Sequence, residues 1–402
     1  MESRAETPSE PEPGLIDWLA LRRLPGAVYE LDGLRGIAIL LVLMRHASGP
    51  FFDPEATGWS PMVAFRNGWA GVDLFFVLSG FLVTYHLSRR WQTAPSGHIV
   101  LNYFAKRFFR IVPTYYAWML LVLFGLLPFY RPQIDDVWYE LWTHLLFLQD
   151  YTGSRLVVAF WSLGVEEKYY LLAPLMVLAL QKLSDVRARI GVLVALSLIP
   201  SGLRVATWFS SGPYLDYTTS FWALRSPFHL AVDTILVGAI TALVYQHRES
   251  FPVLLRQSTH TTLFLGGAAV ALALLLPFEI LDEPIGLVRG VLVFPVLGYA
   301  FAAIQLSLLL GTGPWTGFFR SKWLFYLSKL SYALYLVHMT FIPVSEALCK
   351  LFVPGWDGLP ALLQLSLFLV PFLSLSIVAS LLLHYIVEKP SLWMKDHVLV
   401  KP

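Results

Sequence analysis

The sequence predicts an all-α, polytopic integral membrane protein of about ten transmembrane helices with both termini cytoplasmic. Three observations carry that reading. Of its 402 residues, 56% are hydrophobic and only 14% charged, where a soluble domain carries about 25% charged residues. Most of the chain falls in apolar runs near the roughly 20 residues that a bilayer crossing needs. Lys and Arg divide unevenly between alternate loops, 18 on the side of the N-terminus against 6 on the other, which is the positive-inside bias.

The elements follow in order. Residues 1–14 are polar, acidic and Pro-rich, and are expected to be a disordered tail rather than a signal peptide. Residues 15–30 begin LIDWLALRRL, with Trp and Leu beside Arg22 and Arg23. They read as an interfacial amphipathic segment. A single transmembrane domain then runs over 31–390, with spans at 33–49, 67–87, 110–129, 161–181, 190–209, 226–246, 261–278, 286–310, 323–349 and 361–387. Val137 to Gln149 is apolar but too short to cross, so it reads as re-entrant or interfacial. Loop 88–109 is expected on the cytoplasmic side and loop 130–160 outside, with 391–402 a cytoplasmic tail. Cys349 is the one cysteine, which rules out an internal disulfide. A net charge of +2 says nothing about nucleic acid.

Ionisable residues inside spans are expensive and mark function by default. The basic ones are Arg35, Arg45, Lys168, Arg204 and Lys329; the acidic ones are Asp73, Glu166, Glu167, Asp233 and Glu346. The first span places Arg35 near the cytoplasmic face and His46 in the outer half, roughly 16 Å apart along one helix. The second and fourth spans run inward, so Asp73 and Glu166 are expected level with His46. A neutral imidazole held by a carboxylate is oriented and made more basic. It can take a proton from a hydroxyl or attack a thioester itself. A packing hydrogen bond is the other reading of His46, and snorkelling to the headgroups the other reading of Arg35. Arg107 and Arg110, with Lys106, either bind phosphates or only set topology. Asp73 is expected to pair with an arginine, and Ser79 to serve helix packing beside Gly80. His229 and Asp233 are one turn apart, a spacing that suits a metal, but no third ligand stands out and no metal is expected. His338 reads as a site residue or as an interhelical hydrogen bond.

In order along the chain stand LDGLRGIAILLVLMRH, GVDLFFVLSGFL, FAKRFFRIVP, FWSLGVEEKYYLLAP and LSKLSYALYLVH. Together they resemble the acyltransferase-3 family of membrane-bound O-acyltransferases, from about Leu31 to Pro390. Arg35 and His46 fit its arginine, ten residues, histidine signature. Asp73 and Glu166 fall on the acidic positions of the second and fourth motifs, Arg107 and Arg110 in the basic one, and Ser331, Tyr335 and His338 in the late one. Lys168 departs from the family pattern, where a Gln is common. The resemblance implies a multi-pass protein of the inner or plasma membrane. It implies transfer of an acyl group, usually acetyl, from cytoplasmic acyl-CoA to a hydroxyl of a carbohydrate such as lipopolysaccharide or another polysaccharide, or of a glycosylated acceptor. His46, Glu166 and Asp73 would then be catalytic, and Arg35, Arg107 and Arg110 would hold the donor. Some relatives carry a fused extracytoplasmic domain that completes the transfer; this sequence shows none, so direct transfer or a partner acyl-acceptor protein is expected. The competing readings are a transporter or flippase of a polar or acyl-bearing substrate, against which no inverted repeat is visible, and an inactive scaffold of glycan assembly.

Overall fold

The structure is a computed structural model that describes residues 28–51, 62–91, 96–211, 217–276, 287–311 and 313–398. The expected tail 1–14 and nearly all of the segment 15–30 lie outside these. The described residues are helical, with no strand among them. The long helices fall on the expected spans: α1 (Tyr29–Ser48), α2 (Ala70–Trp91) and α3 (Ser96–Leu123), then, after the short α4 (Val137–Leu145), α5 (Trp161–Gln181) and α6 (Val186–Ser211). The second half adds α7 (Phe228–Gln246), α8 (Gln257–Leu275), α9 (Val293–Leu310), α10 (Lys322–Val337), α11 (Ile342–Phe352), α12 (Ala361–Leu383) and α13 (Lys389–Val398).

Two boundaries differ from expectation. Helix α3 starts 14 residues before the expected span, because Ile99 to Val112 holds no Gly or Pro to interrupt a helix ahead of Pro113. Lys106, Arg107 and Arg110 therefore sit inside a helix rather than at its start. The ninth span is one continuous run in the sequence but breaks into a tighter 3₁₀ turn at His338–Phe341.

Seven of the long helical runs are apolar enough to cross a membrane by length and composition. The three that are not, α1, α3 and α5, carry charges in groups: Arg35 and Arg45, Lys106 to Arg110, and Glu166 to Lys168. The most apolar helices form the sheath. Helices α6, α8 and α12 expose many large apolar side chains, Leu198, Leu272 and Val378 among them, whereas α2, α7 and α9 are mostly buried. This is a multi-pass membrane protein in which the charged side chains of α1, α3 and α5 line an internal cavity while exposed positions of α3 and α5, such as Leu120, Leu171 and Leu175, are apolar.

Close backbone approach builds the centre. Helices α2 and α7 meet glycine against backbone on both sides: a Cβ at Gly80 would overlap the Ile235 carbonyl, and one at Gly238 the Val77 carbonyl. Small residues allow such contact between helices in a membrane. At the start of α1, Glu30 accepts from Arg320 Nε (2.7 Å) and Asp32 from Ser328 Oγ (3.1 Å). These acids also sit where the helix dipole favours negative charge.

The segment between α3 and α5 does not cross. Helix α4 has nine residues, about 14 Å. Asp136 caps it, accepting from the Trp138 and Tyr139 amides at 2.9 and 3.1 Å, and Trp138, Tyr139 and Trp142 are exposed. After it the chain is stitched to the bundle. Lys168 Nζ donates to Asp150 Oδ1 (2.6 Å) and to the Phe147 carbonyl, while Asp150 Oδ2 accepts from the Phe228 amide (3.2 Å) at the start of α7.

Gly80→Leu forces α2 and α7 apart and lowers the thermal unfolding midpoint in detergent, an overpacking cost of about 1–3 kcal/mol or more. Gly191→Leu, at an α6 position with open space around it, leaves the midpoint unchanged.

Candidate active site

Two cavities lie along α1, one at each end of the Arg35–His46 stretch. The first is about 800 Å³ including its open mouth. Its charged lining is Arg35 from α1, Arg107 and Arg110 from α3, and Glu166 from α5. Helix spacing explains the pair on α3, since residues three apart share a face. Among the described residues Arg35 and Arg110 make no hydrogen bond or ion pair. Arg107 lies over the Tyr170 ring at 5.4 Å, and its buried Nε has no partner. Three guanidiniums face one carboxylate here. Such an excess is costly in a low-dielectric site unless an anion enters it.

Glu166 does not stand alone. Ser79 Oγ donates to Glu166 Oε1 at 2.6 Å, and Tyr170 Oη lies 3.1 Å from Ser79 Oγ. Ser79, expected to serve packing, is part of this polar wall.

The second cavity is about 920 Å³ including open space. It is lined by His46 with Arg45, Arg66 and Arg225, and by Trp69 and Tyr217. Arg225 ends a π-helical turn, Phe221–Arg225; such turns re-aim side chains and are common at functional sites. Its guanidinium donates to both Asp73 oxygens, at 2.9 and 3.4 Å. It lies 4.5, 4.8 and 5.4 Å from the ring centres of Phe294, Trp69 and Trp161. Deeper still, Arg204 pairs with Asp233 and donates to the Leu230 and Val291 carbonyls.

The two cavities share Val72 and Tyr335 in their linings. Tyr335 is locked there: its hydroxyl donates to the Ala159 carbonyl (2.7 Å) and lies 2.5 Å from Ser162 Oγ. A fixed aromatic wall thus separates an arginine-lined chamber from one that holds a histidine.

A family model described as an acyltransferase domain matches residues 28–385. The chain belongs to the acyltransferase-3 family. It is similar to the peptidoglycan O-acetyltransferase OatA of Listeria monocytogenes, 24% identical over 346 residues, which is 82% of this chain and 51% of that protein. It is also similar to the O-acetyltransferase OatA of Staphylococcus aureus, 25% identical over 333 residues, 80% of this chain and 51% of that protein. The chain therefore spans about half the length of these relatives. No solved structure matches it.

Seen as a member of the acyltransferase-3 family, the chain distributes its expected site residues differently from the sequence reading. Arg35, Arg107, Arg110 and Glu166 come together. His46 is not with Glu166. Among the described residues His46 has no hydrogen bond, and its ring neighbour is His338, 5.0 Å away between centres. The separation of Glu166 from His46 has a physical reason. The segment before α5 dips into the protein, so Val158 and Trp161 already line the His46 cavity. Glu166, five residues further along α5, is about 7.5 Å closer to the Arg35 end. Asp73 lines neither large cavity; it holds Arg225, the arginine that the sequence could not name. The His229–Asp233 spacing does not make a ligand pair, since Asp233 is held by Arg204 and His229 Nδ1 lies 3.0 Å from Tyr151 Oη. Arg225 itself looked like a loop charge, and nothing local in FWALRSPF marks it otherwise.

Asp73→Ala strands the Arg225 charge in a buried site and costs about 3–5 kcal/mol, whereas the double change Asp73→Leu with Arg225→Met recovers most of that stability. Thermal unfolding in detergent reads both outcomes.

Proposed function

We propose that this protein transfers an acyl group, acetyl in the first instance, from acyl-CoA at the cytoplasmic face to a hydroxyl of a carbohydrate acceptor reached from the other face. The observation that carries the reading is the chamber of three arginines. A donor with several phosphates suits three convergent guanidiniums, two of them with no protein partner among the described residues. Arg presents a planar fork to phosphate oxygens. The charged head of the donor would stay at the Arg35 end, and only its slender neutral arm would enter the bundle, which avoids burying phosphates in the membrane.

The arm would run along the roughly 16 Å between Arg35 and His46 and bring the thioester to the wall of Val72 and Tyr335. From the second cavity, His46 faces that wall. In one route its ring nitrogen takes the proton of the acceptor hydroxyl as the oxygen attacks the thioester carbonyl. The C–S bond breaks, and the proton passes to the departing thiolate. In the other, the same lone pair attacks the thioester carbonyl first and the C–S bond breaks to release the CoA thiolate; the acceptor oxygen then displaces the imidazole from acylated His46, and its proton passes to the thiolate. Arg225, fixed by Asp73 and lining the same cavity, is placed to hold the oxyanion of the tetrahedral intermediate. Peptidoglycan is named as the acceptor of the Listeria relative, which supports a glycan hydroxyl as the acceptor class here. The aromatic lining beside His46, Trp69, Trp161 and Tyr217, offers apolar ring faces to a sugar.

The purified full-length chain, given acetyl-CoA and a glycan acceptor extract, is expected to release free CoA. His46→Ala abolishes that release in protein that still unfolds at the normal temperature. Arg35→Ala and Arg110→Ala each raise KM for acetyl-CoA by roughly ten- to a hundredfold, the worth of one charge-assisted hydrogen bond. Full activity in His46→Ala, or substrate uptake into proteoliposomes with no CoA consumed, would sink the reading.

A further inference from the structure

His338 sits where α10 gives way to the 3₁₀ turn His338–Phe341, and it is completely buried. Its Nδ1 is 3.0 Å from the Leu334 carbonyl and 3.0 Å from the Tyr335 carbonyl. Both partners only accept, so Nδ1 carries the proton and Nε2 is left as a bare lone pair. That lone pair has no partner. A buried acceptor without a donor is destabilising, and one in an otherwise well-bonded helix end asks what it is there to receive. The His46 ring lies 5.0 Å away between centres, its plane tilted by 51°. Two imidazoles joined edge to edge by an N–H···N bond of about 2.9 Å have ring centres roughly 5 Å apart. The observed spacing of the two ring centres matches that of such a pair.

We propose that His338 is a positioning residue for His46. Its Nε2 accepts a hydrogen bond from one ring N–H of His46 and thereby fixes the tautomer, so that the other nitrogen turns its lone pair to the cavity. The inference rests on the acyl-transfer role of His46 proposed above. It replaces the carboxylate expected from the sequence with a neutral imidazole whose own orientation is set by two backbone carbonyls. The chain of support runs from the α10 backbone through His338 to His46, and needs no buried negative charge next to the reacting carbonyl. Tyr335, whose carbonyl orients His338 and whose ring walls the two cavities, links the histidine pair to the donor chamber.

The test compares two amides of similar polarity. His338→Gln places its side-chain amide near the position of Nε2 and can present an acceptor to His46. His338→Asn is one carbon shorter; it can still bond the α10 carbonyls but does not reach His46. With acetyl-CoA as donor and soluble peptidoglycan fragments as the acceptor probe, His338→Asn is expected to lower kcat roughly 10- to 100-fold, the range found when a metal-bound histidine loses the partner that orients it, with KM for acetyl-CoA unchanged. His338→Gln recovers most of kcat. Equal kcat in the two variants, whether both normal or both low, overturns the proposal, as does a loss confined to KM. Thermal unfolding of both variants separates misfolding from lost positioning. His46→Ala is run beside them. If it stays active, the acyl-transfer reading itself falls; if it is inactive while the two amides behave alike, only the role of His338 falls.

Discussion

A guanidinium inside a membrane protein must find an anion, and this structure is organised by where each one does. Arg204 and Arg225 find theirs within the chain, in Asp233 and Asp73, and both pairs are almost wholly buried. These pairs lock α2, α6, α7 and the π-helical turn before α7 into one block. Arg35 and Arg110 find no partner among the described residues. The same side chain is therefore held by a carboxylate of the chain at one end of the bundle and without a partner among the described residues at the other. Partners and burial both mark the difference, since Arg204 and Arg225 are buried and Arg35 and Arg110 only half-buried.

That division explains the layering. Helices α1, α3 and α5 turn Arg35, Arg107, Arg110 and Glu166 to an internal cavity, while α3 and α5 expose apolar side chains such as Leu120, Leu171 and Leu175. The two cavities thus sit in a low-dielectric interior, where fixed charges and dipoles act most strongly. Two chambers meet at Tyr335, one lined by Arg35, Arg107 and Arg110 and the other holding His46. In the acyl-transfer reading the wall between them is the place where the donor's thioester and the acceptor's hydroxyl meet, without either charged or sugar-bearing partner crossing the bilayer.

The segment between α3 and α5 shows how much depends on a piece that spans nothing. Its caps, the left-handed Phe147 and the Lys168–Asp150 bridge draw the start of α5 into the protein. This sets the depth of every residue on that helix. Trp161 joins His46 in one cavity lining, and Glu166 falls in the arginine-lined chamber beside Ser79 and Tyr170.

The sequence by itself determined the class of the protein, the placement of its long helices and the spacing of Arg35 and His46. Each is a local property: hydropathy over about 20 residues, or a fixed rise of 1.5 Å per residue along one helix. Its ordered motifs also pointed to the acyltransferase-3 family, to which the chain belongs. Only the tertiary structure decided which charges meet. Asp73 and Arg225 are 152 residues apart, and Ser79 and Glu166 are 87 apart. Whether they face each other depends on helix rotation and on the depth at which each helix starts, neither of which any local pattern encodes. For the same reason the companion of His46 is His338 rather than the carboxylate its depth suggested: α5 begins lower than a straight loop would place it, and α10 ends beside α1.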